Sequence, residues 1–557
     1  MMKREATAGR RPRALVIGLD GASFEVLNPL MEAGRLPHLA RLMRDGASGE
    51  LLSTIPYSTA PAWASFMTGK NPGKHGIFHF GRMLPEQRCL GLIDGRHVRS
   101  EKLWGALNRA GRPAIVLNIP ITYPPEEIQG IMVSGIFVPR SAEESMIYPR
   151  EHFSELDQLL GGCKLDLYYT PAWAEQDFEG ILREATRTAE GLTRAGLHFI
   201  STQDWDLCVV VFTEMDRLQH WFWKWLFPEE AVPGSAGGGE LRERHERLLD
   251  FYTHLDAQLG KLIAQAGEEA YVFVLSDHGF GGGRVRRRFY INAWLASLGL
   301  FSPQENPSGS LPRYLARKLQ RKGSAPGEGE VSEEAGQKVP QLDASLEMDW
   351  ERTRVCYVGV ESMGLYILRE PCGPVKAEEY EPLRDRLQRE LLALTDSATG
   401  QKVIEKVFKR EELYWGAYVP EAPDLLFTLP GNQYTLSKRW KKGPLFRDTR
   451  EKVEGFHRPE GVWMARGPGI QANLRLAGAQ IPDIAPTLLY ALGAEVPREM
   501  DGKVLLEAFA EGYRSDHPVR YAESPGEAGA TGGTEEMVYS AEELETIQKR
   551  LADLGYL

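Results

Sequence analysis

The sequence predicts an α/β fold built on a mostly parallel sheet with helices on both faces, and three observations predict it. Short, uniformly apolar runs recur along the chain, as expected of parallel strands buried on both faces. Segments of helical period lie between them, which is the βα alternation of such a sheet. Carboxylates follow directly on several of the runs, where open parallel sheets hold ligands, at the carboxyl ends of their strands.

Taken in order, Ala14 to Leu19 reads as the first buried strand, ending in Asp20-Gly21. Helical spacing runs from Glu25 to Asp45 and is broken at Gly34 and Pro37. Ser58 to Gly69 reads as a loop turning into a helix near Pro61. A helix over about Ser100 to Ala110 precedes a second strand, Pro113 to Asn118. Glu175 to Ile200 is a long amphipathic helix, and Asp206 to Phe212 a third strand. Arg242 to Gln265 is a further helix. Tyr271 to Ser276 is a fourth strand, running into Asp277-His278 and a glycine loop over Gly279 to Gly283. Val355 to Leu368, Val403 to Phe408 and Asp424 to Leu429 read as strands of a smaller subdomain. Ile481 to Leu492 is a capped helix, and Ser540 to Leu554 a last one.

From Pro303 to about Glu347 the chain turns rich in Pro, Gly, Ser, Lys and Glu, which reads as a mobile insertion; Ser524 to Glu535 reads as a second flexible stretch. The expected organisation is a catalytic α/β domain over residues 12–302 and 348–510, the second part including a small subdomain. The insertion 303–347 divides the two parts, and residues 511–557 form a tail with the terminal helix. A length of 557 residues accommodates this plan. No internal repeat is evident.

Bulk properties narrow the function classes. A net charge of -11 argues against a nucleic-acid polymer or an anionic membrane surface as the main partner. Five scattered cysteines (Cys89, Cys163, Cys208, Cys356 and Cys372) form no disulfide framework and no CxxC pair, so a reducing compartment, the cytoplasm, is expected. No apolar stretch is long enough to span a bilayer, and the basic start of the chain runs into a strand with no signal-peptide core.

The candidate chemistry lies in four segments. Asp216 and His220 are four residues apart, so on a helix both point the same way and reach one metal; an ordinary i,i+4 pair is the competing reading. The aromatic run Trp221 to Trp225 behind them reads as subdomain core or pocket wall. Asp20 is a metal ligand or a helix N-cap. Asp277-His278 is a ligand pair, or a loop carboxylate beside a satisfied histidine. His457, in a Gly-flanked loop, is a ligand or a plain surface histidine. Mixed His/Asp ligation suits zinc, or manganese where oxygen dominates. Thr59, beside a helix N-terminus that favours phosphate or an alkoxide, is the candidate nucleophile, to be activated by metal coordination; the alternative is a simple cap. Ser58, Ser53 and Thr54 are weaker candidates.

These residues resemble the alkaline phosphatase superfamily, and within it the type I phosphodiesterase/nucleotide pyrophosphatase branch, especially the group of predicted phosphohydrolases or phosphomutases. The matching text is Gly18 to Gly21, Thr59 to Pro61, Thr68-Gly69, Asn71 to Ile77, Asp216 with His220, Ser276 to Gly279, Gly455 to His457 and Asp483 to Thr487. The resemblance implies an alkaline-phosphatase-like three-layer sandwich with an inserted smaller subdomain. It also implies two divalent metal ions, zinc or manganese. Asp20, Thr59, Asp277 and His278 would hold one; Asp216, His220 and His457 would hold the other. Thr59 would attack phosphorus in line, and water would then cleave the phospho-threonine.

One position departs from the family's nucleotide diesterases, which carry an asparagine after the His-Gly-Ile turn. Here Phe80 stands in that place beside His79, which puts nucleotide diester specificity in doubt and makes His79 the candidate for the missing donor. Arg284, Arg286, Arg287 and Arg288 either bind substrate charge or form a solvated turn. Sulfatases need a Cys-x-Pro-x-Arg nucleophile motif; Thr59 to Trp63 occupies its place, and Cys372 to Lys376 only looks like it. The expected activity is therefore phosphoric ester hydrolysis, as a phosphodiesterase or phosphatase, on a small-molecule phosphate ester. A phosphomutase or phosphotransferase, and a non-catalytic metal- or phosphate-binding relative, are the alternatives.

Overall fold

The computed structural model describes residues 11–136, 138–139, 144–162, 164–165, 167, 174, 176–228, 238–304, 341–342, 348–359, 363–431, 434–523, 543 and 546–547. Most of the proposed insertion 303–347, the stretch Ser524 to Glu535 and most of the last expected helix lie outside the described residues.

The fold is a three-layer α/β sandwich. Its central sheet uses β1 (Ala14–Leu19), β2 (Ala47–Leu52), β3 (Ala114–Ile119), β4 (Gly130–Ser134), β5 (Leu207–Phe212), β6 (Tyr271–Leu275) and β9 (Glu460–Arg466). Two further strands, β7 (Gly279–Tyr290) and β8 (Phe446–Arg458), pair antiparallel in a separate three-stranded sheet, in which Tyr434–Ser437 runs parallel to β7 on its other side. Across the sheet the order is β2-β9-β6-β1-β5-β3-β4, with short strands at both edges. The five strands from β6 to β4 are parallel, and β9 runs antiparallel to β6 and to β2. Strands β1, β3, β5 and β6 are buried at every residue, which is why they read as unbroken apolar runs.

Two residues of β5 show how the faces are covered. Val210 lies toward Gly196 of helix α2 (Phe178–Thr202) and Leu262 of helix α4 (Gly238–Ala266). Its neighbour Val211 lies toward Gly18 and Trp63, the latter on helix α1 (Thr59–Thr68). Successive strand residues point to opposite faces, so the two helix groups cover opposite sides of the sheet. Helix α3 (Glu214–Leu226) leaves the carboxyl end of β5 and packs against β8.

Two local expectations are corrected. The glycine run over 279–283 is not a loop but the start of β7, and His457 is not in a loop but near the end of β8, opposite Phe280. At Gly279 a neighbouring backbone closes in: a Cβ there would lie 2.0 Å from the Glu460 carbonyl oxygen. Strands Val355–Tyr357, Gly364–Ile367, Leu425–Thr428 and Lys406–Lys409 form a small antiparallel sheet accompanied by helix Ala377–Ala393. No helix among the described residues is long and apolar enough to cross a membrane.

The C-terminal segment clamps the end of α1. Asp501 accepts from Asn71 N (2.9 Å), Asn71 Nδ2 (2.9 Å), Lys74 Nζ (2.6 Å) and Trp415 Nε1 (2.9 Å), and its own N–H and that of Gly502 bond to Gly69 O. Burial pushes the Asp501 carboxyl up, but these donors outweigh it and hold it below its ordinary 3.8. Replacing Asp501 by Ala should cost about 3 kcal/mol in urea unfolding, because it strips charged hydrogen bonds from part-buried donors. A depressed carboxyl contributes above its unfolded pKa and ceases to as pH falls through its folded one. The gap between wild type and Asp501→Ala should therefore narrow as pH falls below about 4.

Candidate active site

The carboxyl ends of three adjacent strands, β6, β1 and β5, meet at one point, and each delivers a carboxylate. Asp20 follows β1 and Asp277 follows β6, while Asp216 sits in the first turn of α3 after β5. Gly21 makes the first turn possible. Its φ of +72° suits glycine, and a Cβ there would lie 3.2 Å from Asp216 Cα. That turn aims the Gly21 N–H at Asp277 Oδ1, 3.2 Å away. His220 stands one turn beyond Asp216 on α3, as i,i+4 spacing requires. The β7–β8 pairing brings His457 across to the same point, with its ring stacked on His278 at 3.7 Å between centroids.

The seven residues singled out for metal contact thus lie together. His278 Nε2 is 3.6 Å from Asp20 Oδ1, 3.3 Å from Asp277 Oδ2 and 3.4 Å from Thr59 Oγ1. Asp216 Oδ1 is 3.4 Å from His220 Nε2 and 3.2 Å from His457 Nε2, and the two Nε2 atoms are 2.9 Å apart. Ligand atoms of Asp20, Asp277 and His278 all fall within 4.8 Å of one another, as do those of Asp216, His278 and His457. His278 therefore stands between the two groups. All of these residues are buried except His220, whose side chain is 18% exposed and marks the open side.

The donor chemistry fits divalent cations. His278 donates from Nδ1 to the Gly279 carbonyl (3.1 Å) and His457 from Nδ1 to the Tyr57 carbonyl (3.2 Å). These bonds assign the tautomer and leave both Nε2 lone pairs facing inward. Asp20 Oδ1 and Asp277 Oδ2 are buried and have no hydrogen-bond partner among the described residues. Burial, then the negative charge of neighbouring carboxylates, pushes Asp20 well above its ordinary value and Asp277 up to about 8. Burial also opposes ionisation of Asp216, but His220 and His457 outweigh it and hold that carboxyl well below its ordinary value. Burial pushes His278 down to about 4, with the charge of His457 adding to the effect. Inward lone pairs and crowded carboxylates of this kind are reconciled by shared positive charge.

Thr59 is the first residue of α1, with Ser58 in extended conformation before it and Gly69 closing the helix in the left-handed region at φ +65°. Pro61 falls in the first turn, where its missing N–H costs nothing. Of the weaker nucleophile candidates, Thr54 donates to the Pro56 carbonyl at 2.7 Å.

His79 is held away from such a role by its partners. Its Nδ1 accepts from Gly81 N (3.0 Å), so Nε2 donates to Tyr366 Oη (2.8 Å), and burial lowers its pKa to about 4. A substrate contact from His79 would require that pair to part. Phe80 is buried in the core. The side chains of Arg284 and Arg286 lie outside the described residues, while Arg287 is tied to Asp396 and Asp448.

The structure adds residues that sequence reasoning did not single out. Arg217 Nη1 donates to Asp216 Oδ2 at 2.9 Å, Trp63 Nε1 donates to Asp20 Oδ2 at 3.4 Å, and Gln219 Nε2 donates to Gly21 O at 3.0 Å. Arg217 and Gln219 sit inside the Asp216–His220 motif, so adjacency was the available signal. Trp63 gave none beyond lying four residues after Thr59.

Gly455 fixes the approach of β8 to α3. A Cβ there would lie 2.4 Å from Phe280 Cε1 and 2.7 Å from the Gln219 carbonyl oxygen. Gly455→Ala should cost about 2 kcal/mol of stability by overpacking. By pushing α3 away from β8, it should also weaken metal uptake, which equilibrium dialysis reads separately from melting.

Comparison with known proteins agrees with this architecture. The chain matches the type I phosphodiesterase / nucleotide pyrophosphatase family over residues 14–460. No curated protein matches it in sequence. Among solved structures it is similar to phosphonoacetate hydrolase from Sinorhizobium meliloti 1021 in complex with phosphonoformate, at 17% identity and a TM-score of 0.51, over 87% of this chain and 96% of that one. Murine ectonucleotide pyrophosphatase / phosphodiesterase 5 in complex with AMP is similar at 13% identity and a TM-score of 0.48, over 89% and 98%. The human counterpart is similar at 12% identity and a TM-score of 0.46, over 91% and 99%.

Proposed function

The chain belongs to the type I phosphodiesterase / nucleotide pyrophosphatase family, metal-dependent hydrolases of phosphoric ester bonds, and from that premise we propose that it works through transient phosphorylation of Thr59 at a two-cation site. The observation that carries this reading is the buried Thr59 hydroxyl, 3.4 Å from His278 Nε2 at the edge of the three-carboxylate cluster. Asp20, Thr59, Asp277 and His278 would hold one cation, and Asp216, His220 and His457 the other. Zinc is the cation proposed, because three imidazoles contribute to the set. When bound, such ions neutralise phosphoryl charge and lower the pKa of hydroxyl and water.

In the first step Thr59 Oγ gives up its hydroxyl proton and attacks phosphorus in line; the threonyl O–P bond forms, the ester P–O bond breaks, and the leaving oxygen takes up one proton, so that none is gained or lost overall. In the second, water attacks from the side the leaving group vacated; the O–P bond to Thr59 breaks, and Thr59 regains its proton. The helix start holds the hydroxyl in place, so its orientation is set before substrate arrives. A small-molecule ester fits a site this deeply buried, with His220 at its open side. Free Cys89, Cys208, Cys356 and Cys372, three of them buried, support a reducing compartment, the cytoplasm.

The test pairs p-nitrophenyl phosphate with bis-p-nitrophenyl phosphate, each with zinc, manganese or chelator. The expected result is release that chelation abolishes and zinc restores, with the preferred ester separating monoesterase from diesterase. Release indifferent to chelation would overturn the cation site. Adding a competing alcohol tests the acceptor: diversion of phosphate to it at the expense of hydrolysis would make the enzyme a phosphotransferase.

A further inference from the structure

Each carboxylate of the site gives one oxygen to an outer N–H and turns the other inward. Asp277 is held by the Gly21 backbone at 3.2 Å, and Asp216 by Arg217, its neighbour in the chain, at 2.9 Å. The donor to Asp20 is of another kind. Trp63 is fully buried, lies on a different element, and reaches Asp20 Oδ2 with its indole N–H at 3.4 Å. The same indole fills the space that a side chain on Gly18 would need: an ideal Cβ there would stand 2.5 Å from Trp63 Cη2 and 2.8 Å from Val211 Cγ2. Trp63 is four residues after Thr59 on α1, so indole and hydroxyl share one face of that helix. One side chain therefore touches the strand that carries Asp20, the outer oxygen of Asp20 and the helix that carries Thr59.

We propose that Trp63 is a positioning residue. It fixes Asp20 as a one-oxygen ligand and sets the spacing between the Asp20 strand and the Thr59 helix. The inference rests on reading Asp20 as a metal ligand. The chemistry of indole suits the task. Indole N–H only donates, so it holds Oδ2 outward and leaves Oδ1 facing His278 Nε2 at 3.6 Å. It is also neutral, so no cationic side chain is bonded to the outer oxygen of Asp20, whereas Asp216 is paired directly with the Arg217 guanidinium. Gly18 completes the device, because its bare backbone lets the indole close against β1.

The experiment uses full-length protein stripped of metal and titrated with zinc against a chromophoric chelator, with melting of the metal-free form recorded alongside. Trp63→Phe keeps a ring and removes the N–H. Gly18→Ala keeps the N–H and displaces the ring. Both should weaken the binding of one zinc ion by about 10- to 100-fold. Both should lower kcat with little change in KM, while metal-free Trp63→Phe melts close to wild type. Wild-type zinc affinity in Trp63→Phe would overturn the inference, and if that variant does not fold, Gly18→Ala decides by the same criterion. Asp20→Asn separates the layers. If it loses zinc while the other two variants do not, the role of Trp63 falls and the ligand reading stands. If it binds zinc like wild type, both fall.

Discussion

Thr59→Ala should lower ester turnover by about 10³-fold or more, the scale on which removing a nucleophile exceeds what the remaining electrostatic machinery sustains. Melting temperature should stay near wild type, because the change deletes only a hydroxyl and a methyl, and zinc should still bind, more weakly at the Thr59 side, because Asp20, Asp277 and His278 remain to hold that ion. Thr59→Ser should retain measurable turnover, since it keeps the hydroxyl at the same backbone position and loses only a packed methyl. The comparison is diagnostic because Ser58 is adjacent. Were Ser58 the nucleophile, Ser58→Ala would be the inactive variant and Thr59→Ala a mild one. Turnover that survives Thr59→Ala would remove Thr59 from the mechanism.

The second large effect belongs to Asp277→Ala combined with His278→Ala. His278 is shared by both close groups, Asp20–Asp277–His278 and Asp216–His278–His457. The double variant should therefore lose at least one bound ion per chain, together with most of the rise in melting temperature that zinc gives the wild type. Asp277→Asn adds a test of sign. Burial, then the Asp216 charge, raises the Asp277 carboxyl to about 8 from an ordinary 3.8. A raised acid stabilises the fold at low pH and ceases to as pH rises toward its folded value. Metal-free wild type should lose stability between those limits, and Asp277→Asn should lose less. Unchanged metal content in the double variant would refute the ligand set.

Much of the architecture was legible in the chain because buried parallel strands leave an unmixed apolar signal. Ala14 to Leu19, Leu207 to Phe212 and Tyr271 to Leu275 all carry it. Their carboxyl ends lie side by side, so Asp20, Asp216 and Asp277 group together from sequence position alone. Strands Ala47–Leu52 and Gly130–Ser134 give a weaker signal because glycine and polar residues dilute it. The run over 279–283 reads as a loop because glycines usually mark turns; here Gly279 admits the close backbone of a neighbouring strand. His457 followed the same error, because its place is set by pairing with β7, across a long stretch of chain. Trp63 and its contact with Asp20 depend on how α1 lies on the sheet, which no local pattern encodes.

The stereochemical course at phosphorus tests the central claim most directly. An isotopically chiral phosphate ester is hydrolysed to completion, and the configuration of the product is compared with that of the substrate. Two successive in-line displacements, at Thr59 and then by water, predict net retention. Net inversion would mean that water attacks the ester in one step, and Thr59 would then be a ligand or a cap but not the nucleophile.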